Sequence, residues 1–156
     1  MCQWQSMRAV KGMLVSLAVV FVMIQLIPVS RLNPPETGPL DAPGATLGLL
    51  KRACYDCHSN ETRWHWYSYI APASWLVSRH VSEARRRLNF SDWEAYASDP
   101  DTAAHKLAEI AAQVANQKMA PWYYRAIHRE ARLNFVEREA LIRWARASFA
   151  AMRSPD

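Results

Sequence analysis

Cysteine is scarce in this chain: 156 residues hold three, at positions 2, 54 and 57. A structural zinc site wants a second C-x-x-C or a paired histidine motif, and the sequence offers neither, since His65, His80, His105 and His128 are scattered. Sustained strand alternation and internal repeats are also missing. That removes the alternating strand and helix pattern in which a thioredoxin-like dithiol would sit. Nor is there a concentrated basic stripe. The net charge is +5, but Arg8 and Lys11 belong to the N-terminal segment, and from residue 31 onward 17 basic face 14 acidic side chains. A nucleic-acid partner is therefore not expected. Arg85, Arg86 and Arg87 make the densest basic run and read as a solvated helix end.

Against those absences stands one pentapeptide, Cys54-Tyr55-Asp56-Cys57-His58. Cysteines three apart followed by histidine form the C-x-x-C-H attachment site for a c-type haem. Each thiol can add across one vinyl group of a single porphyrin, and the neighbouring imidazole can rise under the ring to bind iron. The expected cofactor is one haem c, carried through Cys54 and Cys57 with His58 as proximal ligand.

The N-terminus sets the compartment. Met13 to Val29 is an uncharged apolar run after Arg8 and Lys11, which reads as a secretory signal or a single membrane anchor. Pro28 suits a small-x-small cleavage site poorly, so the anchor is favoured. In both cases Arg8 and Lys11 stay cytoplasmic and the remainder is exported. Cys2 would stay inside as a bystander thiol. The division expected is a cytoplasmic stub and anchor over 1–30, a proline-rich tether over 31–44, and a haem-binding domain over 45–156.

Within that domain, Leu47, Leu50 and Ala53 recur at helical spacing and lead into the pentapeptide. The aromatic cluster from Trp64 to Tyr69 needs a partner for its rings. Trp64 and Trp66 could donate indole N–H groups, and Arg63 an ion pair, to haem propionates. Pro72 opens a helix over about 72–87 with Trp75, Val77, Val81, Ala84 and Leu88 on one face. Ser91-Asp92-Trp93-Glu94 has the form of a capping box, and Asp99-Pro100 reads as the stop of the short helix it would begin. Leu107, Ile110, Ala111 and Val114 mark a helix over 101–117. A second capping box at Asn134 to Glu137 opens a closing helix with Val136, Ala140, Leu141, Trp144 and Ser148 on one side.

A low-spin electron-transfer haem wants a second axial ligand. Met119 is the leading candidate, in a loop stiffened by Pro121 and followed by aromatics. His128, close to the same loop, His65, His80, His105 and an open iron remain as alternatives.

Ala53 to Trp93, with Lys118 to Ala145, resembles the haem-binding domain family of small bacterial membrane-anchored, c-type cytochrome-like proteins. The most specific parts are Cys54 to Thr62 and Met119 to Trp122. The resemblance implies thioethers at Cys54 and Cys57, the proximal bond at His58 and the distal bond at Met119. His65 and Ala120 stand where the family tends to have proline. The combined expectation is an all-α, cytochrome c-like domain behind one transmembrane helix, transferring single electrons between a membrane redox partner and an acceptor rather than acting as an enzyme. A haem-based sensor or small-ligand binder with an exchangeable distal position is the alternative. A peroxidase-like enzyme would need a distal acid/base group that nothing in the sequence places.

Overall fold

A computed structural model describes residues 2–153, with side chains from residue 7 onward. The Cys2 thiol thus lies outside the described residues. Helices account for all the regular structure among them: α1 (Cys2–Gln25), α2 (Gly44–Ala53), α3 (Tyr55–His58), α4 (Ala73–Arg87), α5 (Glu94–Ala97), α6 (Pro100–Ala115), α7 (Trp122–Ile127) and α8 (Phe135–Arg153), with 3₁₀ turns at Trp66–Tyr69 and Arg129–Ala131. The all-α class read from the sequence is the class observed.

The chain divides into two compact units. The first joins Met1–Leu32 to Trp64–His80. Its helix α1 is long and apolar enough over Met7–Gln25 to cross a membrane, and none of that stretch is buried. The helix stops earlier than the apolar run does, because Ile27 precedes Pro28 and the proline ring disfavours helical backbone at that position. The candidate spanning segment, Met7–Gln25, includes Arg8 and Lys11 within its first five residues, where long stems can carry charge back toward the headgroups. At its last residue, the Gln25 side chain pairs with the Ala71 backbone, its oxygen accepting from N–H at 2.8 Å and its amide donating to C=O at 3.3 Å. Arg31 donates to the Ser68 carbonyl at 3.3 Å, and the Ser78 hydroxyl to the Ser30 carbonyl at 2.7 Å.

The second unit comprises Asn33–Arg63 and Val81–Asp156. Its core is the face of α6 marked by Leu107, Ile110, Ala111 and Val114, packed against Leu141, Ile142 and Ala145 of α8, with Leu50, Tyr55, Phe90 and Trp93 closing over them. The expected α6 stripe is buried in full, whereas Val136 at the start of α8 is exposed. Asp99-Pro100 follows the end of α5, as read, and also begins α6: the Asp99 carboxylate accepts from Thr102 Oγ1 at 2.5 Å and Asp101 N at 3.3 Å, and Pro100 takes the first turn, where no N–H partner is needed. The second capping box is present as read, with Asn134 N to Glu137 Oε2 at 2.8 Å and Glu137 N to Asn134 Oδ1 at 2.9 Å. The first is not. Ser91 is fully buried, takes the Asn60 N–H at 3.0 Å and donates to Glu36 at 3.0 Å, and α5 starts only at Glu94.

The proline-rich stretch lies along this unit from Asn33 onward. Thr37 N bonds Ser91 O at 3.0 Å, Leu40 N bonds Phe90 O at 2.7 Å, and Gly38 O accepts from Trp93 N at 2.6 Å. Gly38 is required by close approach, since a Cβ there would fall 2.5 Å from Glu94 Cβ. Leu107 and Leu141 are fully buried where α6 meets α8. Truncating either to alanine should lower unfolding stability by about 2–5 kcal/mol through lost burial plus the cavity left behind. Thermal unfolding followed by helical circular dichroism checks this, and a change below about 1 kcal/mol would mean that the α6–α8 seam is not the core.

Candidate functional site

Helix α2 ends where the backbone at Cys54 leaves helical geometry (φ −125°, ψ −36°), and the Cys54 carbonyl then accepts from Cys57 N at 3.1 Å and His58 N at 2.9 Å. That single turn, α3, gathers both thiols and the imidazole. The four residues after it are pinned tightly. Ser59 Oγ donates to Tyr55 O at 2.8 Å and accepts from Glu61 N at 2.9 Å, Thr62 Oγ1 donates to Asp56 O at 2.9 Å, and the Arg85 guanidinium reaches Ser59 O at 2.7 Å and Thr62 Oγ1 at 2.8 Å. The basic triplet at the end of α4 therefore splits: Arg85 turns inward as a clamp on the loop, while Arg86 and Arg87 are exposed.

The end of α4 also fixes the imidazole. His58 Nδ1 lies 3.1 Å from the Leu88 carbonyl, and Phe90 N donates to His58 O at 2.7 Å. A carbonyl only accepts, so Nδ1 carries the proton, and Nε2 holds the free lone pair in the neutral ring. Burial holds the imidazolium form below its ordinary range, which keeps that lone pair available. The Phe90 ring stands edge-on to His58 at 6.3 Å and stacks on Tyr55 at 5.2 Å.

Cys54 and Cys57 are free thiols. Burial, with Cys57 adding to it, pushes Cys54 up to about 12; burial and then Asp56 push Cys57 up to about 11, against an opposing pull from Arg85. A dithiol that attacks disulfides needs its thiolate lowered, so these shifts run opposite to redox-exchange chemistry. Among the described residues no group of three or more His, Cys, Asp or Glu converges as a metal cage.

Asp56, between the cysteines, is buried and held from three sides. Arg63 reaches its two carboxylate oxygens with Nε at 3.0 Å and Nη2 at 2.9 Å, and the Tyr124 hydroxyl donates at 2.5 Å. Burial would raise its pKa, but those hydrogen bonds overcome it and hold the carboxyl below its usual range. Tyr124 lies on α7, directly after the Met119 loop, so this bond ties that loop's far end to the pentapeptide.

A hollow of about 380 Å³, within the usual size of small-molecule sites, is lined by Cys54, His58 and Met119 together with Leu88, Phe90, Ile110 and Val114. Arg86, Arg87 and Lys106 also line it. Cys57 sits one turn from Cys54 and is not on the wall. The other residues read from the sequence have different surroundings. Arg63 is engaged by Asp56 and borders a separate hollow with Lys51, Arg52 and Glu130. Trp64 and Trp66 fall in the first unit, where Trp66 is 75% exposed. His128 is buried, stacked on Tyr124 at 4.1 Å, and shares Nδ1 with Glu130 at 3.1 Å; His105 is exposed beside Glu109 at 3.6 Å. His65 stacks on Tyr67 at 5.7 Å, and His65 and His80 both belong to the first unit. Sequence reasoning missed the place of Arg86, Arg87 and Lys106. The charges were visible, but which side of α4 and α6 bordered a hollow was not.

An imidazole with its lone pair at Nε2, a thioether, a thiol and apolar walls together form a donor set that fits a haem. The fold and this site define an all-helical domain built on a Cys-x-x-Cys-His turn and preceded by a candidate membrane-spanning helix. Residues 19–147 match the haem-binding domain family, and the chain belongs to it. No curated protein and no solved structure matches the chain.

Proposed function

We propose that the protein is a membrane-anchored, c-type cytochrome-like electron carrier of a bacterial inner membrane, with its haem domain on the periplasmic side. The observation that carries this reading is the shared hollow, where Cys54, His58 with its free Nε2, and Met119 meet. The haem, when bound, supplies a one-electron ferric/ferrous couple. Cys54 and Cys57 would hold it covalently, and His58 Nε2 and Met119 Sδ would bind its iron. Leu88 fixes the imidazole's tautomer and orientation through Nδ1. Leu88, Phe90, Ile110 and Val114 exclude water, and a thioether donor in such surroundings favours the ferrous state. Arg86 and Arg87 offer cationic partners for the two propionates, a role for which Arg63 has less freedom because it serves Asp56, and Lys106 because it pairs at 3.6 Å with Glu109, which also lines the hollow. No acid/base group is invoked, and the function proposed is carriage, not catalysis. Arg8 and Lys11, at the N-terminal end of the candidate span Met7–Gln25, support a cytoplasmic N-terminus.

The test is direct. Full-length protein from a host with haem-attachment machinery should gain the mass of one haem and give a pyridine haemochrome spectrum of the c type. A mass equal to the bare polypeptide in that host would overturn the assignment.

A further inference from the structure

We infer that the aromatic segment from Trp66 to Ile70 is a bilayer-interface belt, lying at the headgroup level beside the end of α1. The inference rests on the anchor in the preceding reading and not on the haem. It starts from length: Met7–Gln25 is 19 residues, which at 1.5 Å per residue gives about 28 Å, close to the roughly 30 Å hydrocarbon core. Gln25, at the helix end, thus sits where the hydrocarbon gives way to headgroups, and there its side-chain amide is bonded to both the N–H and C=O of Ala71.

That pairing fixes depth for what precedes Ala71. Two residues can separate Tyr69 from Ala71 by no more than about 7 Å, while the interfacial layer on each side is itself about 5–7 Å thick. Trp66 lies five residues away, and the tight turn at Trp66–Tyr69 shortens that reach. The exposures agree with this placement. Trp66 is 75% exposed, Tyr69 58% and Ile70 41%, an arrangement costly in water and suited to a zone where one end of each ring is apolar and the other wet. Arg31 supplies the charge such a zone favours, with its guanidinium over the Tyr69 ring at 4.6 Å and bonded to Ser68 O. The aromatic cluster read from the sequence as a haem neighbour thereby has another partner, the lipid surface, and it is tied to Gln25 at the end of α1 and to Arg31 beyond it by hydrogen bonds 46 and 37 positions apart in sequence.

Spin labels on the full-length, haem-loaded protein in vesicles of mixed zwitterionic and anionic lipid test this. Single substitutions Trp66→Cys, Tyr69→Cys, Leu17→Cys and Val136→Cys are made in a Cys2→Ser background. Leu17 is on the apolar surface of α1, and Val136 is an exposed site on the second unit. Collision with a water-soluble nickel chelate should be several-fold slower at 66 and 69 than at 136, and slowest at 17. Rates at 66 and 69 equal to that at 136, with 17 protected, would overturn the belt alone. A label at 17 that collides as freely as one at 136 would overturn the anchor and the belt together. The mass of the unlabelled Cys2→Ser protein reports separately on haem attachment.

Discussion

Replacing both Cys54 and Cys57 by alanine should yield a chain of bare polypeptide mass, with any haem it carries extractable by acidified organic solvent. The argument is bond by bond. Each thiol S–H adds across one vinyl group to give a thioether, and with no sulfur at either position only the His58 bond and the walls of the hollow remain. Single variants should separate the two positions. Cys54→Ala or Cys57→Ala leaves one vinyl conjugated with the ring, so the pyridine haemochrome α band should move to longer wavelength than in the parent while covalent attachment persists through the other sulfur. Cys54 is on the wall of the hollow and Cys57 is not, so attachment through Cys57 requires its side chain to turn toward the hollow or the turn to adjust when haem is attached. Loss of Cys57 alone should therefore disturb the folded surroundings less than loss of Cys54. A double variant that retains haem against denaturing extraction would show that the link runs through other atoms and would remove the pentapeptide from the centre of the site.

How much of this was legible beforehand depends on the range over which each signal acts. The α6 stripe was readable because helical periodicity is local and its four apolar positions all enter one buried cluster. The Asn134 capping box was readable for the same reason: both of its bonds close within four residues. Ser91-Asp92-Trp93-Glu94 carries an identical pattern, yet Ser91 is taken by Asn60 and Glu36, 31 and 55 positions away in sequence, and a pattern of four residues cannot report such competitors. The arginine triplet shows a second limit. Successive helical residues turn by about 100°, so three in a row cannot share a face, but only the position of the Ser59–Thr62 loop decides that Arg85 is the one turned inward. The aromatic cluster shows a third. Its need for burial was evident from ring area alone, whereas its attachment to Gln25 depends on a contact across 46 positions. The pentapeptide and the Met119 loop were visible as motifs, but that Cys54, His58 and Met119 line one hollow was not, nor were the carbonyl beside His58 Nδ1 and the cations on the wall.

Met119→Ala should leave haem attached and the fold intact while changing the spectrum and opening the iron. Met119 is 37% exposed, and its loop is held by other means: Lys118 N and Met119 N both bond Gln113 O, at 3.0 and 3.4 Å, Ala120 is buried, and Tyr124 anchors α7 to Asp56. Removing a side chain that contributes so little to the core should alter unfolding stability of the bare chain by no more than about 0.5 kcal/mol. The electronic effect is of another order, because axial ligands set haem potentials over a range of about 0.8 V. Loss of the thioether, the donor that favours ferrous iron, should lower the potential by on the order of 0.1 V. The ferrous variant should also bind carbon monoxide without denaturant, where the parent resists it. These two proteins together separate the carrier from the sensor. A parent that binds carbon monoxide as readily as the variant, with an unchanged absorption spectrum on substitution, would exclude Met119 from the iron and make the distal position exchangeable, which is the behaviour of a ligand-binding haem protein and not of an electron carrier.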